Sequence, residues 1–124
     1  MKLNLDRSSA LYLIDRFTAH SVTVAKQEYR HHLILTPERI FEPWQAPAVA
    51  ELAIADFDCL SDLELEVVLL GTGERQIFPP PRLRAEFGRN GIGFEVMNTG
   101  AACRTFNILA GEGRKVAAAL IIDQ

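Results

Sequence analysis

Glycine is missing from the first seventy residues of this 124-residue chain; all eight glycines lie at or after Gly71. The N-terminal half must therefore turn on Pro, Asp, Ser and Lys-Gln. Tight joints that need close backbone approach are confined to the C-terminal half. Cysteine is nearly absent. Cys59 and Cys103 make no disulfide framework and no C-x-x-C redox pair, and both are expected as reduced thiols. No apolar run approaches the ~20 residues that a spanning helix needs, which argues against direct membrane insertion. Basic runs are lacking too. With 13 Lys/Arg against 16 Asp/Glu the net charge is −3, and without a positive face the chain is not expected to bind nucleic acid or an anionic membrane surface. Residues 1–6, MKLNLD, hold no apolar signal core and no transit segment, so a bacterial-type cytoplasmic chain is expected.

Catalytic signatures of glycosidases, proteases and kinases are missing. The three histidines, His20, His31 and His32, have no zinc-ligand spacing, and neighbours on a strand point to opposite faces. Neither a metal nor a cofactor is expected. What remains is an ordinary globular composition, 48% hydrophobic and 23% charged. The length suits one domain with a real core, residues 1–124, with 1–10 polar and loosely held and the core over 11–122.

The first third reads as a small antiparallel unit. Leu11–Phe17 is a candidate first strand. Val22–Ala25 and Tyr29–Leu35 are two more, joined at Lys26-Gln27-Glu28. Thr36-Pro37-Glu38-Arg39 reads as a turn, and Ile40-Phe41 as a strand limited by Pro43. Leu52-Ala53-Ile54 is a further candidate strand, and Asp56 a candidate cap for one helical turn to Leu60. Leu65–Leu70 is a buried strand that ends in Gly71-Thr72-Gly73. Three prolines precede a short helix over Arg82–Arg89, with Pro81 tolerated in its first turn, Leu83 and Phe87 facing inward, and Asn90-Gly91 closing it.

The chain is organised around its last third. Phe94–Met97 is a strand, and Asn98-Thr99 offers two cap residues. Ala102, Cys103, Phe106, Leu109 and Ala110 then form one helical stripe. Gly111 is read as a left-handed stop, and Gly113 as a second hinge. Val116–Ile122 is a continuous apolar run, the mark of a strand covered on both faces. Its three successive alanines imply a helix packed close against it.

The strings G-I-G-F-E-V-M-N-T, A-A-C-R-T-F-N-I-L, E-G-R and V-A-A-A-L-I, with the G-T-G after Leu70, are similar to the C-terminal signature of domain-of-unknown-function family 498. That family includes the mitochondrial complex I assembly factor three and the adipogenesis-associated protein. The resemblance covers about Tyr29–Ile122. It implies a compact α/β fold with a mixed central sheet, and it offers no catalytic residues to carry over. The fold expected is thus a single three-layer α/β domain, with a mixed central sheet, helices on its faces and a small N-terminal antiparallel unit. The last strand is placed near the middle of the sheet.

Several residues have two readings. Cys103 sits about four residues inside a helix N-terminus beside Arg104, where partial positive charge favours a thiolate nucleophile, redox centre or metal ligand. It is also, and by the burial habit of free cysteine foremost, a small hydrophobe on the buried stripe with Phe106 and Ala110. Asn98 and Thr99 are caps, or they bind a small anion with the following N–H groups. Gly71, Thr72 and Gly73 make a tight turn, or with Arg75, Arg82 and Arg84 an anion site at the sheet edge; Gln76 stands where a dinucleotide fingerprint needs its third glycine. Asn107, mid-helix, is expected to hydrogen-bond a neighbouring loop. Arg104 and Arg114 are expected to pair with Glu95 and Glu112.

Three functions follow. The first is a non-catalytic protein-interaction or assembly-factor module for a respiratory or other membrane-bound complex, implied by the resemblance. Its protein partner would meet the edge formed by the Gly71–Pro81 loop and the Asn98–Arg104 helix start. The second is a thiol-dependent enzyme or redox sensor using Cys103 with Arg104, Thr99 and Asn98. The third is a small-anion binding protein.

Overall fold

The structure, a computed structural model, describes residues 11–123. The expectation for residues 1–10 lies outside them. Among the described residues two sheets are present. Strands β1 (Ile14–Thr18), β2 (Ser21–Val24) and β3 (Gln27–Tyr29) form a small antiparallel sheet in that order. The central sheet has the order β5 (Ile40–Phe41), β4 (Leu33–Leu35), β8 (Val116–Leu120), β6 (Val67–Gly71), β7 (Gly93–Met97). It is mixed: β8 lies at its middle, antiparallel to β4 and parallel to β6, and β6 is parallel to β7.

Helix α1 (Pro81–Arg89) crosses from β6 to β7, and helix α2 (Thr99–Gly111) from β7 to β8. The two crossings run in opposite directions across the sheet. Right-handed crossovers then demand helices on opposite faces, and the side-chain alternation of the strands shows that arrangement. Leu33, Leu35, Leu69, Val116, Ala118 and Leu120 face one core with Ala102, Cys103, Phe106 and Ala110 of α2 and with Ile14, Val22 and Val24 of the small sheet. Ile34, Val68, Leu70, Phe94, Val96, Ala117 and Ala119 face the other, with Leu83 and Phe87 of α1 and with Trp44, Leu52, Phe57 and Leu60. Every residue of β8 is fully buried, as its unbroken apolar sequence predicts.

Several expectations are corrected. The β2–β3 hairpin turns at Ala25-Lys26, not at Lys26-Gln27-Glu28. Both residues take left-handed φ, +50° and +69°, a two-residue primed turn built without the Asn or Gly that normally marks one. Tyr29–Leu35 is not one strand. The chain leaves the small sheet after Tyr29 and enters the central sheet at Leu33. The first strand is Ile14–Thr18 rather than Leu11–Phe17.

Leu52-Ala53-Ile54 forms no strand. The chain makes 3-10 turns over Val49–Glu51 and Ile54–Leu60, which lay Leu52, Phe57 and Leu60 onto the second core. Asp56 is not the first cap. It stands in the third position, and its carboxylate accepts from the Ala53 N–H at 2.9 Å. Gly111 is the last helical residue, and Gly113 takes the left-handed conformation, φ +79°. The Arg114 N–H then reaches back to the Leu109 carbonyl at 3.0 Å, a Schellman closure.

The two cores differ in kind. The α2 side is mostly aliphatic and alanine-rich. On the α1 side Phe57 is the hub, with ring centroids 5.4 Å from Trp44, 5.2 Å from Phe87 and 6.3 Å from Phe94. The Trp44 indole donates to the Asp56 carbonyl at 2.8 Å, holding the 3-10 segment against the sheet. Phe57→Ala is expected to destabilise the chain by about 3–5 kcal/mol, the usual cost of emptying a buried aromatic site. Truncating the exposed Ile108 to Ala should change stability by less than ~0.5 kcal/mol. Urea denaturation followed by Trp44 fluorescence separates the two.

Candidate functional site

The C-terminal ends of β6 and β7 and the start of α2 converge on the Gly71–Gly73 turn. Gly71 is buried beneath the helix; a Cβ placed on it would lie 2.9 Å from the Thr99 Cα. Gly73 has φ +97°, and a Cβ there would meet the Asp123 carboxylate at 2.6 Å. The glycines are therefore required by the approach of the helix and of the chain's end.

Polar groups knit the turn to the helix. The Thr99 hydroxyl accepts from the Gly73 N–H at 2.8 Å and donates to the Ile121 carbonyl at 2.7 Å. The Thr99 N–H donates to the Gly73 carbonyl at 2.8 Å. The Asn98 carboxamide caps α2 by accepting from the Ala101 N–H at 2.8 Å. Thr72 is buried; its N–H donates to the Met97 carbonyl, and its hydroxyl accepts from Ile77 at 3.0 Å and donates to the Arg75 carbonyl at 2.5 Å. Gly71, Thr72, Gly73, Asn98 and Thr99 thus come together as expected. The Thr72 and Thr99 hydroxyls and the Asn98 carboxamide oxygen are engaged with the protein itself, and these bonds shape the edge.

Arg75 and Arg104 are both exposed. The Arg104 guanidinium lies 5.6 Å over the Phe17 ring and does not pair with Glu95. Arg114 pairs with Glu66 at 2.6 Å, where Glu112 was expected, because the turn after α2 brings it beside the N-terminal end of β6. Asn107 does bind a neighbour. Its side chain accepts from the Ile14 N–H and donates to the Ile14 carbonyl, both at 2.8 Å, clamping β1 to α2. Arg82 and Arg84 are exposed on α1, and Arg84 borders a cleft of about 260 Å³ with Phe78, Pro79 and Val96.

Cys103 needs correction as a nucleophile. It is 1% exposed in the aliphatic core. Burial pushes its thiol up to about 12, and the nearby Arg104 charge opposes this without overcoming it. A thiol so placed stays protonated at neutral pH, and the small-hydrophobe reading describes it. Cys59 is exposed, and partial burial raises its thiol as well.

A strap at the chain's C-terminal side was not visible in the sequence. The Ile121 N–H donates to the Gly71 carbonyl at 2.9 Å, and the Asp123 carboxylate accepts from the Glu74 N–H at 2.9 Å. His32 Nδ1 accepts from the Ile122 N–H at 2.9 Å, and His20 Nδ1 meets the Asp123 carbonyl at 3.1 Å. His31 instead pairs with Glu42 at 2.8 Å. The two adjacent histidines part company, although they lie in the link between β3 and β4 and not on a strand as expected. Burial lowers the His32 pKa; Asp123 opposes the shift and His31 adds to it. Among the described residues no group of His, Cys, Asp and Glu is placed to hold a metal ion.

Thr99→Val should cost about 1–3 kcal/mol in urea denaturation, because it strands the Gly73 N–H and Ile121 carbonyl without their partner. Asn98→Ala should cost about 1 kcal/mol, the ordinary value of a lost cap. A pH dependence follows from His32. Its folded pKa lies below the unfolded value of ~6.5, so the unfolded chain binds the proton more readily. The stability it contributes is complete above ~pH 6.5 and is lost as pH falls toward the folded pKa. In His32→Asn, whose carboxamide can still accept from Ile122, the urea midpoint should fall less between pH 7.5 and pH 5 than in the parent chain.

Comparison with known proteins places this geometry. The chain is 30% identical over 95 residues to a 13 kDa major membrane protein of Francisella tularensis, covering 76% of this chain and 77% of that one. It is 32% identical over 120 residues to the bovine NADH dehydrogenase (ubiquinone) 1 alpha subcomplex assembly factor 3, covering 94% of this chain. The chain spans only 65% of that factor's length, and likewise 65% of the human one, to which it is 29% identical. A solution structure from Xanthomonas campestris superposes with TM-score 0.84 at 38% identity, covering 98% of this chain and 92% of that one. One from Bordetella pertussis, titled a Mth938-like domain, does so with TM-score 0.77 at 26% identity, covering 93% and 88%. No helix among the described residues is long and apolar enough to cross a membrane. With the match extending over residues 14–121, the chain belongs to the family described as protein of unknown function (DUF498/DUF598).

Proposed function

We propose that this chain is a non-catalytic protein-interaction module of the assembly-factor kind, serving a multi-subunit complex and docking through the Gly71–Pro81 loop and the start of α2. The observation that carries the reading is the loop itself. Directly after a turn whose polar groups are internally satisfied, Ile77 is 45% and Phe78 66% exposed. Large side chains held out on a firmly tethered loop are the kind of anchor that protein interfaces use. Exposed Arg75 and Arg104 supply charged contacts at the rim, while Gly71, Thr72, Gly73, Asn98 and Thr99 hold the loop to the helix. The homology to complex I assembly factors supports the same reading.

The burial of Cys103 leaves the thiol-enzyme alternative without a reacting group at the surface. The engagement of Thr99 and Asn98 weighs against a small-anion site at the helix start. The test is affinity purification of the tagged chain from native lysate, compared with Phe78→Asp. An unchanged thermal midpoint shows that the variant remains folded. A partner recovered with the parent chain should fall at least ~tenfold with the variant, the change of about 1.4 kcal/mol expected for losing an interface anchor. Equal recovery with both, or no specific partner with either, refutes the reading.

A further inference from the structure

A second concave surface lies away from that loop, between the β2–β3 hairpin and β5. The cleft is about 480 Å³ and is bordered by Tyr12, Glu28, Tyr29, His31, Ile40 and Glu42. Among the described residues, none that lines it belongs to the Gly71–Pro81 loop or to α2, and none is a lysine or arginine. Its aromatic walls are ordered. Tyr29 and His31 meet edge to face with ring centroids 6.0 Å apart. Glu42 is fixed by a 2.8 Å contact with His31 Nε2. Burial, then the charge of Glu42 and the neighbouring Tyr12, hold the Tyr29 phenol above its ordinary pKa, so the three groups sit close enough to sense one another.

The charge of the cleft is poorly balanced from within. Glu42 meets His31 at 2.8 Å, but both side chains are substantially exposed, and such pairs hold weakly. Glu28 has Arg30 at 3.3 Å, and both members of that pair are substantially exposed as well. Lys26, at the tip of the hairpin, is exposed and makes no ion pair among the described residues. Tyrosine faces attract cations through the ring quadrupole, and the attraction strengthens where water is partly excluded. Acidic residues alone would describe only a solvated surface. Two phenol rings beside two carboxylates, with no lysine or arginine in the wall among the described residues, describe a receptor for organic cations.

We propose that this cleft binds an alkylammonium or guanidinium group, with the rings of Tyr12 and Tyr29 against its apolar stem and Glu42 and Glu28 against its charge. Such a group comes from a lysine or arginine side chain of another protein or from a free polyamine. Inorganic cations are disfavoured because they gain nothing from the apolar wall.

Isotope-labelled full-length chain is titrated with N-acetyl-lysine amide, N-acetyl-arginine amide, spermidine and an ε-acetylated lysine control, and amide shifts are followed. Saturable shifts confined to residues around Tyr29, His31 and Glu42 are expected for the charged ligands and not for the control. Glu42→Gln should weaken binding about tenfold, as for loss of one close charge contact. Tyr29→Leu should weaken it comparably, with the remaining amide spectrum preserved in both variants. Raising NaCl from 0.15 to 0.5 M should weaken it further. Tighter binding of the amino-acid amides than of spermidine assigns the site to a partner's basic side chain, and the reverse assigns it to polyamines. No saturable shift with any cation, equal binding by the acetylated control, or undiminished binding in Glu42→Gln overturns the proposal. Failure of the Phe78 experiment leaves it untouched, because the two surfaces share no residue.

Discussion

The architecture depends on how closely α2 lies against the C-terminal ends of β6 and β8. The Thr99 hydroxyl can bridge the Gly73 N–H and the Ile121 carbonyl only because Gly71 leaves room for the Thr99 backbone. Below that point small side chains continue the approach, with Ala102 and Ala110 on the helix facing Ala118 on the central strand. A helix seated this near excludes water along its length, and the excluded polar atoms must then find partners within the protein. Thr99, Asn98 and the Ile121–Asp123 strap provide them.

That seating has a functional consequence. A helix start at a sheet's C-terminal edge is where α/β proteins commonly bind ligands. Here Gly73 and Ile121 occupy the Thr99 hydroxyl, and Asn98 occupies the Ala101 N–H. The sheet's edges are similarly closed. Strand β7 is flanked by Gln76, which donates to the Val96 carbonyl at 3.0 Å, and by a run of prolines that cannot act as strand donors. Strand β5 has only two residues before Pro43. Neither edge of the central sheet is thus suited to strand addition, which agrees with the proposed docking through projecting side chains such as Phe78.

The C-terminal half was legible because its signals are local and strong. The apolar run of β8, the Asn98 cap and the Leu83–Phe87 spacing each name one structure, and Gly71 marks a close approach. The N-terminal half was harder for a physical reason. Its hairpin turn uses Ala25 and Lys26, which carry no turn signature, and its strand break at Arg30–His32 is decided by which sheet each half joins. The 3-10 segment near Phe57 owes its shape to aromatic packing from residues 13 to 37 positions away. Gly71, Thr72, Gly73, Asn98 and Thr99, grouped by the sequence at one edge, are in contact there in the structure. The roles of His32 and Asp123 were not legible, since each bond spans at least 49 positions and follows no local pattern.

Cys103 shows why a helix start alone does not make a reactive thiol. The dipole at a helix N-terminus contributes roughly 0.3–1 kcal/mol, up to ~2 in favourable buried geometry, and it fades within the first turn. Cys103 is the fifth residue of α2. Against this, burial among Phe106, Ala118 and Leu120 drives the thiol from 9.0 to about 12. A displacement of that size corresponds to roughly 4 kcal/mol against the thiolate. The Arg104 charge lies on the favourable side, but its guanidinium is turned over the Phe17 ring and toward solvent, where water screens it. Desolvation therefore wins by a clear margin. The sulfur serves the same close packing as the alanines around it.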